Sequence, residues 1–546
     1  MLSRCYFRVI PIFLALVLFL RTPHLSFAQP PKDMAAEVLF NSACKAFNDQ
    51  NYPFATAKFS EFIQKYGNHP QVNAARYGLA LCYLDGSERN FEKAIDPLNA
   101  LAGNAMIVEQ PRALYYLGIA KRGLGMADVT LATSKQGAES QQIMQRANGR
   151  FTEALQHFVA AEKAFRSRIS AAASKTPAAS DLDWLARSLT EKAEMEIRTG
   201  RYKEARETAE MLMKDPQLNK NRFARLGLYY HGFASFLLHD YLVAGRSLNQ
   251  LQPFTDPHSG LHACYLMGRI YQITEEPDKA LVMYNKVLLD YAQQKKDAME
   301  SLKRPDLLKN NPAEFQRLQK LVQGPVPEAL IGSTFFSACL AYEAARYGEA
   351  LGKLQSFLKE YARSPLVPEA VMRIGFCQVQ LKQYQEALNT LNPLLNNNPR
   401  LADQVRLWIG KAQVGLALAV DPANTAAREN GLKTAIASLR SAADSAAQLA
   451  NNDPDARIRR SEIMLELADT LQLARQPRDA VGIYEQLLNE KMLPQRVEEI
   501  WQRMITALHL ASDFGRVDQL CQQYQKDFPR GSLLADAQLQ KRIRCL

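Results

Sequence analysis

The chain has 546 residues, 47% of them hydrophobic and 23% charged, with a formal net charge of +11. That supply of apolar side chains excludes a chain disordered throughout, and the near absence of turn dipeptides between alternating apolar runs excludes a mainly β fold. The charge is mild for so long a chain; it calls for no nucleic-acid partner and implies only a general attraction to acidic surfaces.

Residues 1–28 read as an export signal. Arg4 and Arg8 precede an apolar run from Val9 to Leu20, too short to span a bilayer as a helix, and Arg21 ends it. Ser26-Phe27-Ala28 offers small residues where a signal peptidase reads, so cleavage is expected before Gln29. Removal takes three arginines and no acid, which lowers the charge from +11 to +8. The expected location is the periplasm or cell envelope if the source is a two-membraned bacterium, and otherwise outside the cell.

Beyond that segment a pair of small residues recurs. A Gly or Ala is followed twelve positions later by Ala at 43/55, 193/205, 232/244, 268/280, 338/350, 375/387 and 468/480. Three residues before the second stands a ring: Tyr52, Tyr202, Tyr241, Pro277, Tyr347, Tyr384 or Pro477. Four residues after it comes a large apolar side chain in most copies, such as Phe59, Leu248, Tyr284 and Leu391. Apolar residues at i, i+3, i+4 and i+7 accompany each copy, as a buried helical face requires. The spacing predicts hairpins of two antiparallel helices, A and B. The small residues are expected to face each other within a hairpin, with the large residue plugging the groove to the next one. B helices are expected to begin near 53, 91, 150, 202, 241, 277, 347, 384, 430, 477 and 514, giving eleven pairs.

This pattern resembles the tetratricopeptide repeat family, a helix–turn–helix unit of about 34 residues. The clearest copies are Val371, Ile374, Gly375, Ala387, Leu391 and Leu394, closed by Pro399, and Met267, Gly268, Tyr271, Ala280 and Tyr284. The resemblance implies an all-α solenoid that binds proteins and does no catalysis. Stretches such as YPFATAKFSEFIQKYGNHP are similar to repeats of bacterial envelope proteins in outer-membrane assembly and cell-division coordination, at repeat level only. Sub-arrays are expected at 29–180, 181–325 and 326–546. Gly125–Gly149 reads as an insertion, Ser167–Ser180 as a linker, Gln293–Pro325 as a charged insertion with one extra helix, and Leu533–Leu546 as a capping helix.

No phosphate-cradling glycine loop and no GxSxG elbow occur in the sequence. His258 and His262, with Asp256 close by, lack a further Cys/His cluster to complete a metal site, so they read as turn and helix-start residues, and no cofactor is expected. After the signal, seven cysteines remain with no CxxC; most sit in apolar helical stretches as small hydrophobes.

The resemblance implies that A helices line the concave surface. Counting from each small A-helix residue selects Arg112, Tyr115, Arg122, Arg187, Glu194, Arg198, Tyr229, Phe233, Phe236, His262, Tyr265 and Arg269. Five arginines and five Tyr or Phe rings in one trough suit an acidic or carboxylate-ended peptide. A second, apolar surface is expected from Phe335, Tyr342, Met372, Phe376 and Val379. The leading reading is a protein-binding scaffold of the cell envelope, with peripheral envelope association left open; the alternative is an adaptor that binds a cell-wall polymer or exopolysaccharide. Trp184, Trp408 and Trp501 look like packing residues rather than sugar platforms.

Overall fold

A computed structural model describes residues 31–531, apart from 87–88, 136, 172–178, 258, 305, 396–397 and 452. The expected signal, most of the linker, His258 and the capping helix therefore lie outside the described residues. Among the described residues the structure is helical, with no strand, and no helix is long and apolar enough to cross a membrane. The chain divides into two compact units between Leu330 and Ile331.

The first unit holds six A/B pairs: α1 (Pro31–Asn48) with α2 (Tyr52–Lys65), α3 (Val72–Asp85) with α4 (Phe91–Ala102), α5 (Gln110–Ala132) with α6 (Gly137–Ala171), α7 (Ala179–Arg198) with α8 (Tyr202–Lys214), α9 (Ala224–Leu237) with α10 (Tyr241–Asn249), and α11 (Gly260–Ile273) with α12 (Pro277–Leu302). A short α13 (Leu307–Asn310) leads to α14 (Pro312–Gln323), the extra helix, which lies against α12. The second unit holds five: α15 (Glu328–Glu343) with α16 (Tyr347–Glu360), α17 (Val367–Gln380) with α18 (Tyr384–Leu391), α19 (Ala402–Ala419) with α20 (Thr425–Leu449), α21 (Asp455–Leu473) with α22 (Pro477–Glu490), and α23 (Val497–Leu510) with α24 (Phe514–Asp527). The division falls in the first turn of α15.

Eight of the eleven hairpin turns are built the same way. Two residues before the B helix the backbone enters the left-handed region, at Gln50, Gly200, His239, Glu275, Ala345, Lys382, Arg475 and Ser512. The next N–H then reaches five residues back, as from Asp240 to Ser235 O (2.9 Å) and from Arg346 to Ala341 O (2.9 Å), which closes a Schellman motif. The ring that opens helix B packs on the last turn of helix A, in Phe47–Tyr52, Phe236–Tyr241 and Tyr342–Tyr347. Asn51, Asn90, Asp240, Asn424 and Asp513 cap their B helices through side-chain oxygens, satisfying donors the helix leaves open.

The small residues do not simply face each other. In several copies the large B-helix residue covers the glycine of its own hairpin. A Cβ added at Gly232 would stand 2.6 Å from Leu248, and one at Gly268 2.6 Å from Tyr284. Phe59 does fill the groove toward the next repeat, where a Cβ at Gly78 would stand 2.6 Å from its ring, whereas Leu248, Tyr284 and Leu391 sit within their own hairpins, where the bare glycine backbone is the deepest recess.

Two hairpins are longer than the sequence suggested. Gly125–Gly149 is not an insertion: α5 continues to Ala132 and α6 begins at Gly137. Asp128, almost fully buried, accepts from Arg146 (2.6 Å) and Arg150 (2.8 Å) across the pair. Ile143 and Ala147 are buried alongside. The Ser, Thr and Gln content hid this apolar spacing. Likewise α20 begins at Thr425, and Leu439 covers Gly410.

Candidate functional site

The A helices of consecutive repeats meet side by side, and their touching side chains form a polar and aromatic face in each unit. In the first unit α7 carries Glu191, Glu194 and Arg198 at helical spacing toward α5. Arg122 of α5 donates through Nη1 to Glu191 Oε2 (2.8 Å), and its Nε stands 3.4 Å from Glu194 Oε2. Arg198 Nε donates to Glu194 Oε1 (2.8 Å). Both glutamates are largely buried; burial pushes the Glu191 carboxyl above its usual range, against the pull of Arg122. Behind this cluster, burial pushes Glu196 up to about 7, and Lys192 bridges it (3.8 Å) to Glu162 (2.9 Å).

The trough expected from the sequence is thus brought together only in part. Tyr115 is 3% exposed and Tyr229 fully buried, so both are core. Arg122 and Arg198 are held by the buried glutamates, and Arg187 by Asp183 (2.9 Å). Arg112 lies over the Trp184 ring at 5.6 Å. Phe233, Phe236, Tyr265 and Arg269 are half-buried, and Arg269 donates to Gln272 (3.0 Å). His262 is hydrogen-bonded to Tyr229 (2.8 Å) and ringed by Phe233 and Tyr265; burial lowers it to about 4, so it is a neutral packing residue. Counting from the small A-helix residue located the right helices. It did not separate core from surface, because both lie within one turn of the same anchor.

In the second unit the corresponding face is aromatic. Phe376 of α17 lies between Tyr342 of α15 (4.5 Å between centroids) and Trp408 of α19 (4.1 Å). Arg373 stands over Tyr342 (5.1 Å) and Lys411 over Trp408 (5.5 Å). Phe335, Met372 and Val379 are buried beneath, which removes them from the apolar surface expected there. Further along, Lys411 pairs with Glu466 (2.5 Å) and Arg503 with Asp469. The sequence treated Trp408 as packing and passed over Arg373 and Lys411; their i, i+3 spacing to Phe376 and Trp408 was the available signal.

Cys44, Cys82, Cys264 and Cys377 are free thiols. Burial pushes Cys82 and Cys264 up to about 12, which makes them unreactive.

Comparison with known proteins bears on two of these repeats. Residues 261–289, on α11 and α12, and residues 369–400, around α17 and α18, each match a tetratricopeptide repeat model. These are the two copies that stood out in the sequence. No curated protein sequence matches the chain. The crystal structure of the yeast Tom70 aligns with 92% of this chain and 99% of its own at 15% identity, with a TM-score of 0.29, too loose a superposition to carry any argument. With eleven A/B hairpins among the described residues and two repeats matched in sequence, the chain is a tetratricopeptide-repeat protein. Such repeats make it an interaction scaffold whose partners are proteins.

Proposed function

We propose that the protein is exported to the cell envelope, performs no catalysis, and gathers other proteins along the A-helix faces of its repeats, acidic or carboxylate-ended segments among them. The observation that carries this reading is the lateral continuity of those faces. Arg122 reaches from α5 to α7, Tyr229 from α9 to His262 on α11, and the Tyr342–Phe376–Trp408 series spans three A helices. A surface assembled from successive repeats can hold an elongated segment through many small contacts, which sum to high avidity. The N-terminal pattern supports export.

The polymer-binding alternative needs open ring faces. Trp184 has Arg112 and Arg187 over its ring, and Trp408 is packed by Phe376 and Lys411, which favours protein over sugar.

The test places a photo-crosslinking amino acid at Phe233, Tyr265, Phe376 or Trp408 on the A-helix faces, and at Leu242, Val282 or Leu289 on exposed B-helix positions, in living cells. Crosslinked partners are expected at the first set. Partners captured only at the second set would overturn the reading. Fractionation with N-terminal sequencing checks export: the mature chain is expected to begin at Gln29 and to leave the cytoplasm.

A further inference from the structure

Helix α12 outruns its repeat. It has 26 residues against 14 in its hairpin partner α11, and the matched repeat ends at residue 289. One side of α12 is turned inward, with Ala280, Tyr284, Val287, Tyr291 and Ala298 buried. On another side Val282, Asn285, Leu289, Ala292, Lys296 and Met299 are all exposed. Their alternating steps of three and four residues are those of a heptad seam. Val282, Leu289 and Met299 are 59%, 70% and 50% exposed. Single apolar side chains at a surface are ordinary. Three of them in one seam about 26 Å long make a face suited to another helix.

The seam fits a copy of itself run in the opposite direction. With a two-fold axis between Asp290 and Tyr291, Val282 meets Met299 of the second copy, Leu289 meets its Ala292, and Asn285 meets its Lys296. Large is thus set against small near the axis, and the Asn285 amide oxygen faces the Lys296 ammonium. A single polar layer of this kind fixes register. On the flank, Lys286 comes beside Glu300 of the second copy. Each now pairs within its own helix, Lys286 with Asp290 (2.8 Å) and Glu300 with Lys303 (2.8 Å), in solvated contacts that a facing copy can exchange. A parallel pair would instead stack Lys296 on Lys296, which like charge disfavours. Agreement between the seam's two halves is what an isologous contact requires, and an unrelated partner would not call for it.

We propose that α12 is a self-association seam through which two copies of the protein pair antiparallel. The proposal goes beyond the scaffold reading and stands apart from it. The seam uses none of the A-helix residues proposed to hold other proteins, so pairing would join two scaffolds into one bivalent particle. A single helix pair buries less than the roughly 1,600 Å² of a standard interface. The pairing is therefore expected to be reversible, with a dissociation constant on the order of 10 µM.

The experiment is sedimentation velocity on the purified protein from about 1 to 200 µM. A concentration-dependent shift from monomer to dimer is expected. L289E, at an exposed position, is expected to weaken association about tenfold or more, with helicity unchanged by circular dichroism. K286E and E300K are each expected to weaken it about threefold, and K286E/E300K to restore it. A photo-crosslinking amino acid at Met299 is expected to join the Val282 region of a second copy. A monomer at every concentration, a dimer untouched by L289E, a double charge variant weaker than both single ones, or a Met299 crosslink to Met299 or to a different protein would each overturn the proposal. In cells, crosslinks from Val282 or Leu289 are expected to hold a second copy of this chain, and those from the A-helix faces other proteins. Loss of the first alone sinks the seam and leaves the scaffold; loss of the second alone does the reverse.

Discussion

The two units use the same hairpin but fill their A-helix faces differently. In the first, α5 and α7 meet through buried ions: Arg122 and Arg198 against Glu191 and Glu194. In the second, α15, α17 and α19 meet through half-buried rings, with Arg373 and Lys411 stacked on them. A tetratricopeptide frame settles backbone placement and leaves the inner face free to vary. Ions compensated within the face have little left to offer a ligand. Half-buried rings, by contrast, keep apolar area in reserve.

The largest test of this contrast is Arg122→Met. It leaves Glu191 and Glu194 buried beside Arg198 alone, and the first unit is expected to lose about 3–5 kcal/mol. Lys411→Met breaks a pair that is partly solvated, and about 1 kcal/mol or less is expected for the second unit. Urea unfolding followed by hydrogen exchange in each unit reads both; equal losses would erase the distinction.

Packing at the glycines should be common to both units. Gly268→Ala in the first and Gly375→Ala in the second are each expected to cost about 1–3 kcal/mol by overpacking against Tyr284 and Leu391. Gly352→Ala and Gly482→Ala, where a Cβ meets nothing within 4 Å, are expected to stabilise by about 1 kcal/mol through helix propensity. Thermal melts check the opposite signs.

Acidity separates the units again. Burial raises Glu196 to about 7 and Asp85 to about 6 in the first unit. A carboxyl raised on folding binds its proton more tightly in the native state, so stability falls as pH rises through the window from the unfolded value to the folded one. The first unit is therefore expected to lose on the order of 1–2 kcal/mol between about pH 5 and pH 7.5. In the second unit Asp453 and Glu349 are lowered by hydrogen bonds from Arg459 and Lys353. Their contribution is present above the ordinary carboxylate range and is lost only in stronger acid, so that unit is expected to hold steady across the same window. Exchange rates that fall with rising pH in the first unit, after correction for intrinsic chemistry, would contradict this.

The smallest expected effect lies in the turns. Ala345→Gly and Lys382→Gly relieve a left-handed backbone at a side-chain-bearing residue and are expected to add up to about 1 kcal/mol each. An unchanged melting midpoint would show that the Schellman bonds already hold the turn without strain.

Much of the fold was legible. The twelve-residue spacing and the ring before each B helix located most of the eleven hairpins to within a residue or two, and Tyr52, Tyr202, Tyr241 and Tyr384 do open their helices. The turns carried little signal of their own, because seven of the eight left-handed positions hold something other than glycine. The long hairpins of α5/α6 and α19/α20 were obscured by polar composition and by loops that separate partners farther than twelve residues. The site was legible only as a set of helices. Tyr229 and Phe233 stand one turn apart on α9, yet the first is core and the second half-buried.

The sequence by itself determined the repeat and its register, because these depend on residues within one hairpin whose spacing is local. Only the tertiary structure decided which charges are spent and which remain to act. Arg122 meets Glu191 across 69 residues, and Arg222 meets Asp183 across 39. Pairings between neighbouring repeats depend on how far each helix is turned about its axis. A shift of one residue turns a side chain by about 100°, enough to exchange a buried ion pair for an open guanidinium.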